Sequence, residues 1–414
     1  MKSIKPSKIN GRILAPPSKS MMQRALIAAM LAEDESVITN PSFCSDSEAT
    51  IGVIGTLGAK VEYDEKKITI QGGGMPLGDI LDCGESGTCL RIISIIAGLY
   101  DNEITVTGHG SLESRPMHMI EEVLFEAGVV CKTADGKLPL TIKGPMIGGE
   151  MEVDGSESSQ HISGLLMALP LCTEDSKLNV KNLKSKPYVK MTIELLRDFG
   201  VRINADNNLE KIEIKGKQRY KSRRYNIEGD WSGASFLLVA GAIAGEARIR
   251  GLNMKSSQAD IAILKALKKA GAIVRENQDS AIVEKNELIA FEFDATDCPD
   301  LFPPLAVLAC NCKGKSIITG TERLKHKESD RAAVLVEELS AIGANIKVEG
   351  NQMIIEGNEL KGGTINSHND HRIAMAGAIA ALTCKGQVEI TDEECISKSY
   401  PKFFDDLENM KVRE

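Results

Sequence analysis

The sequence predicts an α/β fold assembled from copies of one module, and three observations carry that expectation. Gly58, Gly128, Gly200, Gly271 and Gly343 stand 70 to 72 residues apart along the 414-residue chain. Each follows a stretch with apolar residues at helical spacing and precedes two short runs with the alternation of strands. A period that holds a whole helix and hairpin marks a repeat architecture.

The second copy shows the pattern in full. Met119-Ile120-Glu121-Glu122-Val123-Leu124-Phe125-Glu126-Ala127 is an amphipathic helix, Gly128 stops it, and Val129-Val130-Cys131-Lys132 begins a strand. A turn at Asp135-Gly136 leads to a second strand, Leu138-Pro139-Leu140-Thr141-Ile142. The same order is expected at Ile51 to Ile70 with a turn at Asp64-Glu65, at Ile193 to Ile214 with a turn at Asp206-Asn207-Asn208, at Ile261 to Val283 and at Val334 to Ile355. One period beyond Gly343 reaches the chain end, so a sixth helix, Phe403-Phe404-Asp405-Asp406-Leu407, has no strands after it. Ser3-Ile4-Lys5-Pro6 is expected to supply the missing strand. The chain then starts in one domain, completes a second, and returns to the first, giving two domains of three units.

With 42% hydrophobic residues the chain has the material for large cores. Its net charge of −8 disfavours nucleic acid or an anionic membrane as partner, and local basic clusters in an acidic chain point to small anionic ligands. Ten cysteines without a paired framework fit reduced, structural thiols, and Cys310-Asn311-Cys312 lacks partners at zinc spacing. The N-terminus has no apolar core of a signal peptide, and the run from Ile373 to Cys384 is too short for a bilayer. A cytoplasmic, monomeric protein is expected.

Each unit also has a first helix, and the residues that open these helices are unusual. They read Pro17-Ser18-Lys19-Ser20, Gly84-Glu85-Ser86-Gly87-Thr88, Ser156-Glu157-Ser158-Ser159-Gln160, Gly229-Asp230-Trp231-Ser232-Gly233, Cys298-Pro299-Asp300 and Asn369-Asp370-His371-Arg372. Ser, Asp, Asn and Gly are ordinary N-cap residues, which accounts for the fourth segment without any function. Elsewhere Lys19, Arg24, Arg91 and Arg372 put cations at or just inside helix N-termini, where the dipole disfavours them unless an anion is bound. Further basic segments are expected to open the second helices: Ser114-Arg115-Pro116, Ser185-Lys186-Pro187-Tyr188, Lys398-Ser399-Tyr400-Pro401, and the run from Arg323 to Arg331. Read singly these are start signals or solvated faces. In Lys327-Glu328-Ser329-Asp330-Arg331, however, Lys327 and Arg331 are expected to share a helix face and clamp an anion, with Glu328 pointing elsewhere.

Neither a Gly-x-x-x-x-Gly-Lys phosphate loop nor a strand-turn-helix dinucleotide motif is present, and Gly72-Gly73-Gly74 suits a turn. His109 and His118 lack metal spacing, and His161 and His326 read as ordinary polar neighbours. The inventory suits two phosphorylated or carboxylated substrates and proton transfer by Asp300 or Glu328, with no metal and no cofactor.

In order along the chain, Pro17-Ser18-Lys19-Ser20 through Arg24, Gly87-Thr88 with Arg91, Ser114-Arg115-Pro116, Ser158-Ser159-Gln160, Ser185-Lys186-Pro187-Tyr188, Pro299-Asp300, Lys327 to Arg331, Asn369-Asp370-His371-Arg372 and Lys398 resemble the 5-enolpyruvylshikimate-3-phosphate (EPSP) synthase family. The resemblance spans the chain. It implies two similar domains, each of three βαβαββ units in an inside-out α/β barrel, with helix N-termini facing an interdomain cleft. Residues 1–14 with 228–414 would form one domain and residues 15–227 the inserted one. It also implies transfer of the enolpyruvyl group of phosphoenolpyruvate to the 5-hydroxyl of shikimate 3-phosphate.

By that resemblance shikimate 3-phosphate is held by Lys19, Ser20, Arg24, Ser158, Ser159, Gln160, Ser185, Asp300 and Lys327, with Tyr188 nearby. Phosphoenolpyruvate is held by Lys19, Gly87, Arg115, Gln160, Arg331, Arg372 and Lys398. Asp300 is expected to take the hydroxyl proton, and Glu328 to move protons at the methylene carbon with help from Lys19. Glu85, Ile92 and Arg323 depart from common family residues, which bears on substrate affinity and on inhibitors that mimic phosphoenolpyruvate beside Gly87. Two alternatives stand beside this reading. One is the sister transferase acting on a UDP-amino sugar, whose reactive Cys is absent from Gly108 to Ser114, and the other is a non-catalytic anion-binding homologue.

Overall fold

A computed structural model describes residues 1–412. The chain divides into two compact units, one discontinuous (Met1–Ser18 with Glu228–Glu414) and one contiguous (Lys19–Ile227). The crossing expected near residue 14 falls at Ser18. Ala15 still donates to the Arg250 carbonyl at 2.8 Å and Ser18 to the Glu228 carbonyl at 2.8 Å, which ties these residues to the discontinuous unit.

In the contiguous unit the helices are α1 (Lys19–Leu31), α2 (Ser45–Thr56), α3 (Gly87–Ala97), α4 (Ser111–Ser114), α5 (His118–Glu126), α6 (Gln160–Ala168) and α7 (Lys186–Asp198). Its modules each carry a four-stranded sheet of one topology. In the second, Ile80–Asp82 runs parallel to Glu103–Thr107, which pairs antiparallel with Lys137–Lys143, itself antiparallel to Val130–Ala134. Gly149–Asp154, Ser176–Lys181, Lys211–Ile214 and Ile203–Ala205 repeat that order in the third. In the first, Glu35–Thr39, Lys67–Gln71 and Lys60–Tyr63 are completed by Arg224–Asn226, which arrives from the far end of the unit and registers Arg224 against Val37.

The discontinuous unit has α8 (Trp231–Ala244), α9 (Ile263–Lys269), α10 (Phe302–Cys310), α11 (Arg331–Ala341), α12 (His371–Ala381) and α13 (Phe403–Met410). Strand Ile9–Leu14 lies parallel to Gly245–Arg250 and closes the fourth module, while Lys2–Ile4 pairs antiparallel with Val388–Thr391 in the three-stranded sheet of the sixth. The N-terminal residues thus supply two strands rather than one. The fifth module, Glu292–Asp294, Lys315–Thr319, Gln352–Glu356 and Asn345–Glu349, has the common order.

Within each unit the first helix of every module is buried nearly all round, and the sheets show alternate residues to solvent. Helix α8 explains why: Trp-Ser-Gly-Ala-Ser-Phe-Leu-Leu-Val-Ala-Gly-Ala-Ile-Ala has no charged residue, and all fourteen positions are buried. A helix apolar on every face has to be surrounded. It packs on α10 and α12, as α3 packs on α1 and α6 in the other unit. The second helices are amphipathic; α7 buries Val189, Met191, Thr192, Ile193, Leu195 and Leu196 on one side. Each Ile or Leu so removed from water contributes roughly 1.5–3 kcal/mol. All ten cysteines are free, and burial lifts the Cys310 and Cys312 thiols to about 12.

The five periodic glycines all have positive φ, between +74° and +100°. They end their helices in the left-handed region that a Cβ disfavours. Gly58 and Gly128 separate the two reasons for glycine. A methyl at Gly128 meets nothing within 4 Å, whereas one at Gly58 would lie 2.2 Å from the Met75 carbonyl oxygen. Gly128→Ala is therefore expected to cost about 1 kcal/mol from φ alone and Gly58→Ala about 3 kcal/mol or more, read as urea-unfolding midpoints at unchanged m-value.

Candidate functional site

In the contiguous unit the predicted residues gather where α1, α3, α6 and α7 begin. Lys19 opens α1, a helix with no acidic residue in its first turn, and its Nζ lies 2.7 Å from Asp46 Oδ2 near the start of α2. That carboxylate, 27 residues away, was not foreseen. Gln23 ties the same corner together, donating to the Asp46 carbonyl at 3.1 Å and to Ser86 Oγ at 2.6 Å. Ser86 caps α3 by accepting from the Cys89 N–H.

Around Gly87 the structure brings four predicted groups together. Arg91 Nη1 donates to the Gly87 carbonyl at 3.2 Å and to Gln160 Oε1 at 3.1 Å, and Gln160 Nε2 donates to Thr88 Oγ1 at 2.8 Å. A methyl on Gly87 would stand 2.7 Å from Arg115 Nη1 and 2.8 Å from Arg91 Nη1, so the missing side chain is the space the two guanidiniums occupy. Arg115 sits between α4 and α5, with Nη2 3.4 Å from Ser111 Oγ.

Arg24 is placed deeper, 1% exposed, and its guanidinium is divided among Thr192 Oγ1 at 2.8 Å, the Ser20 carbonyl at 2.9 Å and Ser163 Oγ at 3.4 Å. It joins α1, α6 and α7, whose openings carry Ser20, Ser159 and Ser185. Burial lowers it to about 10, with Tyr188 acting the other way, so it stays charged at neutral pH. Ser185 caps α7 with a left-handed backbone at φ +55°, ahead of Pro187 in the first turn. Ser158 Oγ accepts from the Gln160 N–H at 3.1 Å.

In the discontinuous unit a second cluster centres on Asp300, about one-fifth exposed at the side chain, in the 3₁₀ turn Pro299–Leu301. Its Oδ1 accepts from Arg331 Nη1 at 3.0 Å and lies 3.4 Å from Lys327 Nζ, while Oδ2 accepts from Arg372 Nη2 at 3.1 Å. Burial alone would raise this carboxyl, but Arg372, Lys327 and Arg331 together hold it far below the usual carboxylate range. Arg331 is fully buried and also gives Nε to Asp370 Oδ2 at 2.9 Å, Nη2 to Asp370 Oδ1 at 3.2 Å, and Nη2 to Glu328. Burial lowers Lys327 from the ordinary lysine value, against the pull of Asp300. Lys398 donates to the Asn369 carbonyl at 2.8 Å.

Three expectations are corrected here. Lys327 and Arg331 do not share a helix face, because α11 begins only at Arg331, where Asp330 caps it by accepting from the Ala333 N–H at 3.3 Å. They meet through Asp300 instead. Nor does Glu328 point away, since it is ion-paired with Arg331. Lys398 likewise ends the 3₁₀ turn Glu393–Lys398 rather than opening α13. Asp370, quoted within its motif but given no task, proves central: it caps α12 through the Arg372 N–H at 2.9 Å and takes two nitrogens of Arg331.

Among the described residues, the ligand atoms of Glu337, Glu338 and His368 lie within 4.8 Å of one another. Glu338 is already engaged there by His368 Nε2 at 2.8 Å and by the Asn366 N–H at 2.7 Å. No helix among the described residues is long and apolar enough to cross a membrane.

Comparison with known proteins bears on the whole chain. The family model described as EPSP synthase (3-phosphoshikimate 1-carboxyvinyltransferase) matches residues 4–407. A 3-phosphoshikimate 1-carboxyvinyltransferase of Clostridium perfringens is 41% identical over 414 residues, covering 98% of this chain and 97% of that protein. One from Clostridium novyi is 40% identical, covering 99% and 98%. A crystallised EPSP synthase of Acinetobacter baumannii aligns with a TM-score of 0.81 at 25% identity over 99% of this chain and 98% of its own. The fold is thus that of the enolpyruvyl transferases, shared also by NikO of Streptomyces tendae at 18% identity, TM-score 0.79, and coverage of 99% and 96%. Within that class, the chain belongs to the EPSP synthase family.

His161, on the first turn of α6, is fully buried, with Nε2 3.0 Å from the Asp154 carbonyl. Burial drives its pKa from 6.5 to about 4, the Asp154 hydrogen bond opposing. Between those values the unfolded chain binds a proton that the folded chain does not, so stability falls as pH falls. The loss should reach on the order of 3 kcal/mol by pH 4, measured by denaturant unfolding from pH 7 to 4, and His161→Gln should flatten that part of the slope.

Proposed function

We propose that this chain joins phosphoenolpyruvate to shikimate 3-phosphate, forming 5-enolpyruvylshikimate 3-phosphate and inorganic phosphate on the route to chorismate and aromatic amino acids. The observation that carries the reading is Asp300 gripped by Lys327, Arg331 and Arg372. Holding anions calls only for ordered cations, whereas proton transfer needs a carboxylate that stays partly accessible among them, as Asp300 does.

The residue assignments rest on the family resemblance and on the chemistry of the side chains. Shikimate 3-phosphate engages Lys19, Ser20, Ser158, Ser159, Gln160, Ser185, Tyr188, Asp300 and Lys327, with Arg24 among them. Phosphoenolpyruvate engages Lys19, Gly87, Arg115, Gln160, Arg331, Arg372 and Lys398. A proton is delivered to the methylene carbon by Glu328 or Lys19, which makes C2 electrophilic. The 5-oxygen bonds to C2 as Asp300 takes the hydroxyl proton. In the second half the C2–O bond to phosphorus breaks, phosphate leaves, and loss of a methyl proton restores the double bond. Fixed cations offset charge on the phosphate and carboxylate throughout.

In this reading the cations around Asp300 also supply the way it becomes a base. Held by three cations it is a poor proton acceptor, since its carboxylate is stabilised too well. An anionic substrate that draws Arg372 and Lys327 to itself removes that stabilisation, and the carboxylate becomes more basic as the complex forms. No cofactor enters the scheme, and a cytoplasmic monomer is proposed as the working form, open to sedimentation and fractionation.

The test is phosphate release from phosphoenolpyruvate with shikimate 3-phosphate or with a UDP-amino sugar. Release with the first acceptor alone is expected; release with the sugar alone would assign the sister activity, and release with neither would leave an anion-binding protein. Asp300→Asn should keep both substrates bound while turnover falls about 10²–10⁴-fold. Near-normal turnover at saturation would remove Asp300 from the proton transfer.

A further inference from the structure

Behind Arg372 lies a buried carboxylate that no step above uses. Asp260, 3% exposed, belongs to the 3₁₀ turn Ala259–Ala262. It accepts a hydrogen bond from the Ser232 hydroxyl. That hydroxyl in turn accepts from Arg372 Nη1 at 2.6 Å, while Arg372 Nη2 reaches Asp300 Oδ2 at 3.1 Å. The guanidinium is stretched between two carboxylates, one held directly and one through a hydroxyl.

The support behind it is rigid. Ser232 is the second residue of α8, where the Asp230 carboxylate accepts from the Ser232 and Gly233 N–H groups at 3.2 Å each. The turn bearing Asp260 is fastened to the same helix start by Gln258, which donates to the Gly229 carbonyl at 2.9 Å and to Glu228 at 2.7 Å and accepts from the Trp231 N–H at 3.0 Å.

We propose that Asp260 is a positioning residue: acting through Ser232, it fixes the Arg372 guanidinium in the orientation that receives the carboxylate of the enolpyruvyl donor. This rests on the assignment of Arg372 to phosphoenolpyruvate above. A guanidinium gripped at one nitrogen offers its remaining edge without first losing rotamer freedom, which lowers the cost of binding.

The ionisation of Asp260 gives the role a signature. Burial, then the neighbouring Asp300 charge, raise it to about 7, with Arg372 opposing and Asp230 adding to the rise. The other titratable group facing it is Cys298, whose thiol burial and then Asp260 push up, while α9 turns Ile263, Leu264, Ala266 and Leu267 inward and leaves Lys265 exposed. Bringing an anion to Arg372 favours the protonated form of Asp260. Donor binding therefore takes up a proton near neutrality, and its apparent affinity weakens as pH rises through 7.

The experiment compares the wild type with Asp260→Asn, Ser232→Ala and Ser232→Thr by steady-state kinetics from pH 6 to 8.5, with thermal melts to verify folding. Ser232→Ala should raise KM for phosphoenolpyruvate about tenfold, with kcat and KM for shikimate 3-phosphate within about twofold, and Ser232→Thr should restore it. Asp260→Asn should flatten the pH dependence of KM for the donor. Calorimetry with phosphoenolpyruvate alone, in two buffers of different ionisation heat, should show greater proton uptake in the wild type than in Asp260→Asn, the difference being the share of Asp260. That arm needs no turnover, so an inactive wild type would overturn the proposed reaction while the proton uptake still judges Asp260. Unchanged KM in the Ser232 variants, equal rises for both substrates, or proton uptake as large in Asp260→Asn as in the wild type would each overturn the inference.

Discussion

A cation at the start of a helix stands against that helix's own dipole, and three such cations belong to the two clusters of the site. Lys19 and Arg331 are the first residues of α1 and α11, Arg372 is the second of α12, and none of these helices has an acidic residue in its first turn. The dipole and the side chain both attract negative charge, so each position is held at a free-energy cost until an anion arrives. Asp46, Asp300 and Asp370 meet that demand from other parts of the sequence. The ion pairs of the two clusters are the molecule's answer to helices built in opposition to their own electrostatics.

The same arrangement sets the character of the chemistry. Cations already satisfied by internal carboxylates do not collapse onto one another or wander among rotamers. An incoming phosphate or carboxylate exchanges one anionic partner for another rather than ordering a loose side chain. What distinguishes the two units is depth. Arg24 is seated among three helices and almost wholly buried, whereas the cluster around Asp300 keeps its carboxylate partly accessible. One set of residues gives the contiguous unit a fixed floor; the other gives the discontinuous unit a group whose basicity depends on what is bound.

Much of the fold was legible because the glycine that ends each helix has to adopt a positive φ, and few other residues do so cheaply. The buried first helices were legible too, α8 above all, since a segment without charge has nowhere to go but inside. The site was legible as a set of cations but not as a set of pairs. Asp46 and Asp260 sit in stretches with no local signal, and only three-dimensional folding brings them to Lys19 and Ser232. The shared helix face of Lys327 and Arg331 failed for a reason the sequence did contain: Ser329-Asp330 is an N-cap signature, and it places the helix start after Lys327. Glu328 then turns back toward Arg331, the nearest charge that can offset its own.

The exchanged strands carry a consequence for how the molecule is made. Arg224–Asn226 completes the first sheet of the contiguous unit, so that unit has all its strands once residue 227 is synthesised. Lys2–Ile4 and Ile9–Leu14, made before that unit, pair with Val388–Thr391 and Gly245–Arg250, made after it. During translation these two strands wait for their partners while the contiguous unit is made between them, and their sheets are completed only after it. The polar, lysine-bearing opening Met1-Lys2-Ser3-Ile4-Lys5-Pro6 suits that interval, because charge and proline keep a waiting strand from pairing with its neighbours on other chains.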